Sequence, residues 1–355
     1  MNINNLLHKT LRVLKQLYIP IIIIFIIELF KSTPKLSNLY NNLVYPYISF
    51  CLYNISNIFP FSLYDIIIVT LILFIVFCII NIFRRSRRYK YSVILVKTVL
   101  WCYISFYLFW GINYFSGTIT NKNNISMNNI SDDDFKSFVD EYVLNLNNSY
   151  SSSFINNDND IYRYITPSIN NIIKDFSINT NLRVIKTKYS LFSRTYASMG
   201  IKGYYSPFSG ESHISNLALD IEKPALISHE LAHLIGVTSE AEANFISYLV
   251  TTSSSNKEIN YSGFFFILPY VIKDARNFLN EKEYQDFISS IKPEVINDYK
   301  NKINYWNDLY NNNIGKIQNY IYEYYLKNNN IQSGQKNYGE VIRIIINYNN
   351  NKSYI

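Results

Sequence analysis

The segment "LISHELAHLIGVTSEAEANF", residues 227–246, carries two of the chain's four histidines four positions apart, with a glutamate directly after the first. On an α-helix, residues i and i+4 share a face, so His229 and His233 can turn ring nitrogens toward one metal ion. Glu230 lies one position round, within reach of a metal-bound water without ligating the metal. Zn2+ in such a setting lowers the pKa of its water toward ~7 and polarises a carbonyl, while a neighbouring carboxylate takes the proton. A catalytic zinc has three protein ligands, so the pattern requires a third. Gly236 ends the helical pattern, and Ser239 is a good N-cap for a second helix, "SEAEANFISYLV", folded back beside the first. Glu240 and Glu242 are then the candidate ligands. The competing reading is an ordinary amphipathic helix whose two histidines sit on a core face with Leu226, Leu231, Leu234 and Ile235.

Metzincins carry a third histidine where this chain has Ser239, so that class does not fit. Gluzincins use a glutamate followed four residues later by an acid or amide that orients a ligand histidine. Glu240 and Asn244 resemble that pair, which makes Glu240 the first candidate, Asn244 its supporting residue and Glu242 the fallback. Upstream, Gly200, Gly203 and Gly210 with Pro207 force turns, after which "SHISN" can run extended. In zincin-type peptidases an edge strand beside the active helix holds substrate by main-chain hydrogen bonds. Residues 212–217, with Ser212, Ile214 and Asn216, are the candidate strand. Tyr204, Tyr205 and His213 are candidate donors to an oxyanion, each against a simple packing role. His213 is also conceivable as a fourth ligand or a plain surface residue.

The stretches "GYYSPFSGE", "HELAHLIG", "EAEANF" and "GQKNYGEVIRI", with the apolar runs described next, resemble an uncharacterised bacterial membrane-protein family, domain of unknown function 3810. The resemblance covers most of the chain. It implies a zincin-like, gluzincin-like domain anchored in the bacterial cell membrane, with Zn2+ as its cofactor.

The elements that must position this site fall into two regions. Three apolar runs occupy the first third: "LYIPIIIIFIIELF", "DIIIVTLILFIVFCIINIF" and "SVILVKTVLWCYISFYLFWGINYF". Each approaches the ~20 residues that cross a bilayer core, the first being shortest and interrupted by Pro20 and Glu28. No small-residue cleavage site follows the first run, which reads as a retained anchor. The net charge of +7 divides unevenly, with 11 Lys/Arg against 2 Asp/Glu in residues 1–115 and 22 against 24 thereafter. The basic excess therefore belongs to the membrane region and sets topology, which argues against nucleic acid as a partner. "RRSRRYK" (84–90) places its loop in the cytoplasm, and His8, Lys9, Arg12 and Lys15 place the N-terminus there too. Three crossings then put residues 116–355 outside the cytoplasm. Cys51, Cys78 and Cys102 all precede that region, which has no thiolate ligand and no disulfide framework.

Residues 31–60 are expected at the outer membrane interface, and "SGTITNKNNISMNN" as a polar linker. Helical patterns cover roughly 131–146, 158–175, 225–250, 261–279, 281–291 and 294–327, with strand signals at 181–189 and 212–220. "GFFFILPYVI" (263–272) is too short to span and reads as a buried helix start, or alternatively a substrate-facing wall. The expectation is a mainly α membrane protein: three transmembrane helices in residues 1–115, then a mostly helical α+β zincin-like domain with a small sheet in 116–355. Its function would be zinc-dependent hydrolysis of peptide or protein substrates beside the lipid bilayer. The alternatives are a non-catalytic envelope scaffold with a structural or absent metal, and an intramembrane zinc protease. Against the latter, "PALISHELAHLIGV" is half a span long and flanked by Asp220, Glu222, Lys223 and Glu240.

Overall fold

A chain crossing lipid must satisfy every backbone N–H and C=O internally, and the apolar runs accordingly fold as helices. The computed structural model describes residues 3–127, 129–182 and 186–353; side chains of residues 1–14, 16 and 352–355 fall outside it, among them His8, Lys9 and Arg12. Helix α1 (Ile3–Ser32) contains Pro20, and α2 (Pro34–Leu39) leads through a π-helical turn at Tyr40–Val44 into α3 (Tyr45–Asn57). Helices α4 (Leu63–Ile82) and α5 (Arg88–Phe109) are each long and apolar enough to cross a bilayer. The stretch Leu17–Ser32 and the stretch Pro34–Asn57, bent by 98°, make a third span if the pair counts as one. In the α4–α5 turn, Arg87 donates to Asn81 and Arg88 to the Ile82 carbonyl, so basic groups meet the C-terminal end of α4.

Residues 31–60 fold as helices packed on the rest of the chain. Tyr45, Ser49, Tyr53 and Ser56 are buried on one helical face of α3, which turns inward against the rest of the chain. The Tyr53 hydroxyl accepts from the Lys186 N–H, and the Tyr45 hydroxyl donates to the Leu234 carbonyl. The expected polar linker is also tied down. It forms α6 (Ile119–Lys122), with Ile119 and Thr120 buried.

Helix α7 (Asp132–Ser149) begins with a reciprocal Ser131–Asp134 capping box, and α8 (Asp158–Asp175) with an Asn157 cap. Then come β1 (Lys188–Tyr189), α9 (Ser193–Ser198), β2 (Gly203–Ser206) and β3 (Glu211–Ile214). Residues 183–185 of the expected first strand lie outside the described residues. Sheet order is β1-β3-β2, parallel between β1 and β3 and antiparallel between β2 and β3. The remaining helices are α10 (Lys223–Leu234), α11 (Glu240–Thr252), α12 (Lys257–Phe278), α13 (Glu281–Ser290), α14 (Pro293–Leu309), α15 (Asn312–Asn328) and α16 (Val341–Ser353). The helical pattern at 294–327 is thus broken, where Tyr310 and Asn311 leave helical geometry and Asn311 caps α15.

Helix α11 packs between α10 and α12, with α7, α8 and α16 completing one hydrophobic core. Ala225, Ala232, Ala241 and Ala243 are almost fully buried, and such small side chains let the α10 and α11 backbones approach.

Candidate metal centre

Two turns bring the candidate ligands together. Gly236, at φ +103°, ends α10 in the left-handed region, and a Cβ there would stand 3.0 Å from the Tyr45 ring. Ser239 then caps α11 by accepting from the Glu242 N–H, while Asn337 accepts from the Ala241 N–H. The hairpin sets Glu240 opposite the histidine face of α10. His229, His233 and Glu240, all buried, each offer a ligand atom within 4.8 Å of the others.

The hydrogen-bond pattern decides what this group lacks. His233 Nδ1 lies 2.7 Å from the Val237 carbonyl and must donate to it, which leaves the Nε2 lone pair facing inward. His229 Nε2 is 3.2 Å from that nitrogen, and Glu240 Oε2 lies 3.2 and 3.4 Å from the two nitrogens. With His233 neutral, three electron-pair-bearing atoms converge, and the group could hold a metal ion. At these separations His229, His233 and Glu240 would be the residues to hold one metal ion, each through a single atom. A proton on His233 would also satisfy the pair. Burial disfavours a charged His233, but the Glu240 carboxylate outweighs it and lifts the imidazole to about 9. Burial likewise opposes the charged Glu240, whose carboxyl the two histidines hold well below its ordinary value.

Glu230 faces the same cavity. Burial raises its carboxyl to about 7 against the lowering influence of His229 and His233, and its Oε2 has no hydrogen-bond partner. The β2 backbone passes directly beside it: a Cβ on Gly203 would stand 2.5 Å from Glu230 Oε1. The cavity above these residues is about 580 Å3, within the usual range for ligand pockets.

Other expected residues fall in different places. Glu242 points away, accepting from the Thr120 N–H and hydroxyl at 2.8 Å each, because two residues on a helix face nearly opposite sides. Asn244 does line the cavity, but its amide donates to the Tyr338 carbonyl rather than to a histidine. His213 is fully buried beneath the membrane helices, its Nε2 2.8 Å from Ser62 Oγ and its ring stacked on Tyr204. Burial pushes it down to about 4. Strand β3 is the central strand, paired on both sides and wholly buried, so Ser212 and Ile214 have no free edge for a substrate. Ser212 instead donates to the Glu230 carbonyl, and the Asn216 N–H to Ser193. The edge strand beside the metal-binding group is β2.

Tyr205 lines the cavity with its ring against Trp110 at 4.7 Å and its hydroxyl 3.4 Å from that of Tyr45. Phe266, Pro269 and Tyr270 of "GFFFILPYVI" also line it, while Phe264, Phe265, Ile267 and Leu268 are core. One contributor is invisible in the sequence pattern: Tyr322 of α15, whose hydroxyl donates to Glu240 Oε1 and lies 3.3 Å from that of Tyr338. In so tyrosine-rich a chain nothing marks it out, and it stands 82 positions from its partner.

The motif "GYYSPFSGE" serves the membrane helices as much as the cavity. Glu211 accepts from the Leu63 and Tyr64 N–H groups at the start of α4 and pairs with Lys188 at 2.6 Å. Gly210, at φ +65°, lies so close to α3 that a Cβ would stand 2.6 Å from Leu52 Cβ. The profile of a family described as "Protein of unknown function (DUF3810)" matches residues 40–346. No curated protein matches the chain, and no solved structure does.

Proposed function

This chain belongs to the DUF3810 family, and on the geometry of its site we propose that it is a membrane-anchored zinc metallopeptidase acting on peptides or proteins outside the cytoplasm. The observation that carries the reading is the convergence of His229 Nε2, His233 Nε2 and Glu240 Oε2 at 3.2–3.4 Å from one another, beside a buried and unpartnered Glu230 oxygen. Zinc held by these residues supplies a Lewis acid and a water acidified to near neutrality. Glu230, poised near pH 7, accepts a proton and returns it to the departing amine. Tyr322 fixes the Glu240 carboxylate, and Tyr205 reaches the cavity as a hydroxyl donor toward developing negative charge. An extended substrate would lie along β2, whose outer edge is unpaired by β3. Helix α10 has 12 residues, too short to span lipid, which favours a site at the membrane surface over an intramembrane protease. The basic turn between α4 and α5 supports the cytoplasmic assignment of that end.

The test is proteolysis by zinc-loaded protein in detergent, against a mixed-sequence peptide library read by mass spectrometry. Wild type should cut, and Glu230→Gln should bind zinc with equal stoichiometry yet not cut. Stoichiometric zinc without any cleavage by wild type would hand the site to a non-catalytic scaffold role.

A further inference from the structure

The cavity has a second charged wall. At the start of α10, the buried Glu222 accepts from Lys202 Nζ at 2.9 Å through Oε1, and the same oxygen lies 3.1 Å from Lys302 Nζ. Its other oxygen is taken by the Trp306 indole N–H at 2.6 Å. Two ammonium groups therefore share one carboxylate oxygen, and all three residues line the cavity that holds the metal-binding group. Aromatic faces hold both lysines in place, Lys202 over Trp306 at 4.7 Å and Lys302 over Phe265 at 4.8 Å.

We propose that Lys202 and Lys302 form a subsite for a carboxylate carried by the substrate. The proposal rests on the metallopeptidase reading and names the substrate class: peptides with an anionic group a short way from the bond to be cut. A clamp joining α14 to α10 needs one lysine opposite Glu222. A second ammonium on the same oxygen, Lys202 with its side chain 29% exposed against 9% for Lys302, adds like-charge repulsion, unless another anion enters. Each ammonium also carries three N–H donors, more than a shared oxygen can accept. Burial, with Lys302 adding to it against Glu222, lowers Lys202 to about 8, in keeping with a site short of negative charge.

Position sets the reach. Glu222 and His229 are seven residues apart along α10, or about 10 Å at helical rise, which is about three residues of extended peptide. The carboxylate is thus a chain terminus or an acidic side chain two to three residues from the scissile bond.

The experiment uses full-length, zinc-loaded protein in detergent and calorimetric binding of hydroxamate-capped peptides two and three residues long. Each is made with a C-terminal carboxylate, with a C-terminal amide, and as an amide bearing a glutamate side chain. Wild type should bind one anionic form at least about ten-fold tighter than its neutral counterpart, and which form wins identifies the source of the carboxylate. In Lys202→Met that preference should shrink to within about two-fold, while the neutral peptide keeps its wild-type Kd and so reports an intact fold. Lys302→Met should do the same wherever its neutral-peptide Kd is preserved. Equal binding of anionic and neutral forms by wild type, or a preference that survives Lys202→Met, overturns the subsite and leaves the peptidase reading standing. If no hydroxamate binds the zinc-loaded chain, both fall.

Discussion

Glu240 and Glu242 stand two residues apart on α11, both buried, and the structure assigns them opposite fates. Glu240 Oε2 faces the two histidines, and its removal leaves their lone pairs converging on an ion with one ligand missing. Breaking a buried charge pair from one side costs about 3–5 kcal/mol, or roughly a 100- to 4,000-fold rise in the zinc Kd. Glu242 makes two hydrogen bonds to Thr120 and none toward the histidines. Its loss at about 1–1.5 kcal/mol per bond lowers stability by about 2–3 kcal/mol and leaves zinc affinity within about three-fold, well below the effect of a supporting residue. The assay is chelator competition for zinc together with a thermal melt, on wild type, Glu240→Ala and Glu242→Ala. Zinc lost from Glu242→Ala but kept by Glu240→Ala would refute the assignment. Zinc kept by both would refute the three-residue group altogether.

Tyr322→Phe removes the donor to Glu240 Oε1 and should weaken zinc binding about 10- to 100-fold, measured by the same competition. Gly203→Ala places a methyl group 2.5 Å from Glu230 Oε1 and 2.9 Å from the His213 carbonyl, so the carboxylate is displaced and the β2–β3 pairing must give slightly. It should leave zinc content unchanged while lowering peptidase kcat/KM about 100-fold, the cost of a misplacement near 1 Å. His213, pushed down to about 4 by burial, is neutral in the fold and takes up a proton near 6.5 when unfolded. Its folded pKa is depressed, so its contribution is complete above pH 6.5 and is lost as pH falls from 6.5 toward 4. Stability should drop by about 2 kcal/mol between pH 7.5 and pH 5, read from denaturant melts, and His213→Gln should lose that part of the dependence.

The candidate metal-binding group was legible because it is local. His229, His233 and Glu240 lie within 12 positions, and helix periodicity with a glycine stop and a serine cap is enough to bring them together. The same locality misled at β3. An extended run after a Gly/Pro turn reads alike whether it is an edge or a central strand, and only its pairing with the two-residue β1 closes the second edge. Glu242 and Glu240 are separated by their direction around α11, which the sequence gives only once the partner of each face is known. Tyr322, Asn337 and Tyr338 reach the site across 80 to 100 positions, and no periodicity carries that information.

The membrane region and the site are built from shared parts, and the family profile covers both, beginning at residue 40 in the turn between α2 and α3. The Leu234 carbonyl at the end of α10 lacks an onward helical partner, and the Tyr45 hydroxyl supplies one at 3.0 Å. Trp110, at the end of α5, packs on Tyr205 and lies edge-on to His233, so a ligand histidine rests against the last residues of a membrane span. Glu211 returns the contact by capping α4, and His213 bonds Ser62 just before it. Each contact joins the start of α3 or α4, or the end of α5, to the strands or helix that shape the cavity. These contacts therefore hold α10 and the two strands against α3, α4 and α5, so the candidate metal-binding group is built partly on helices apolar enough to cross a bilayer.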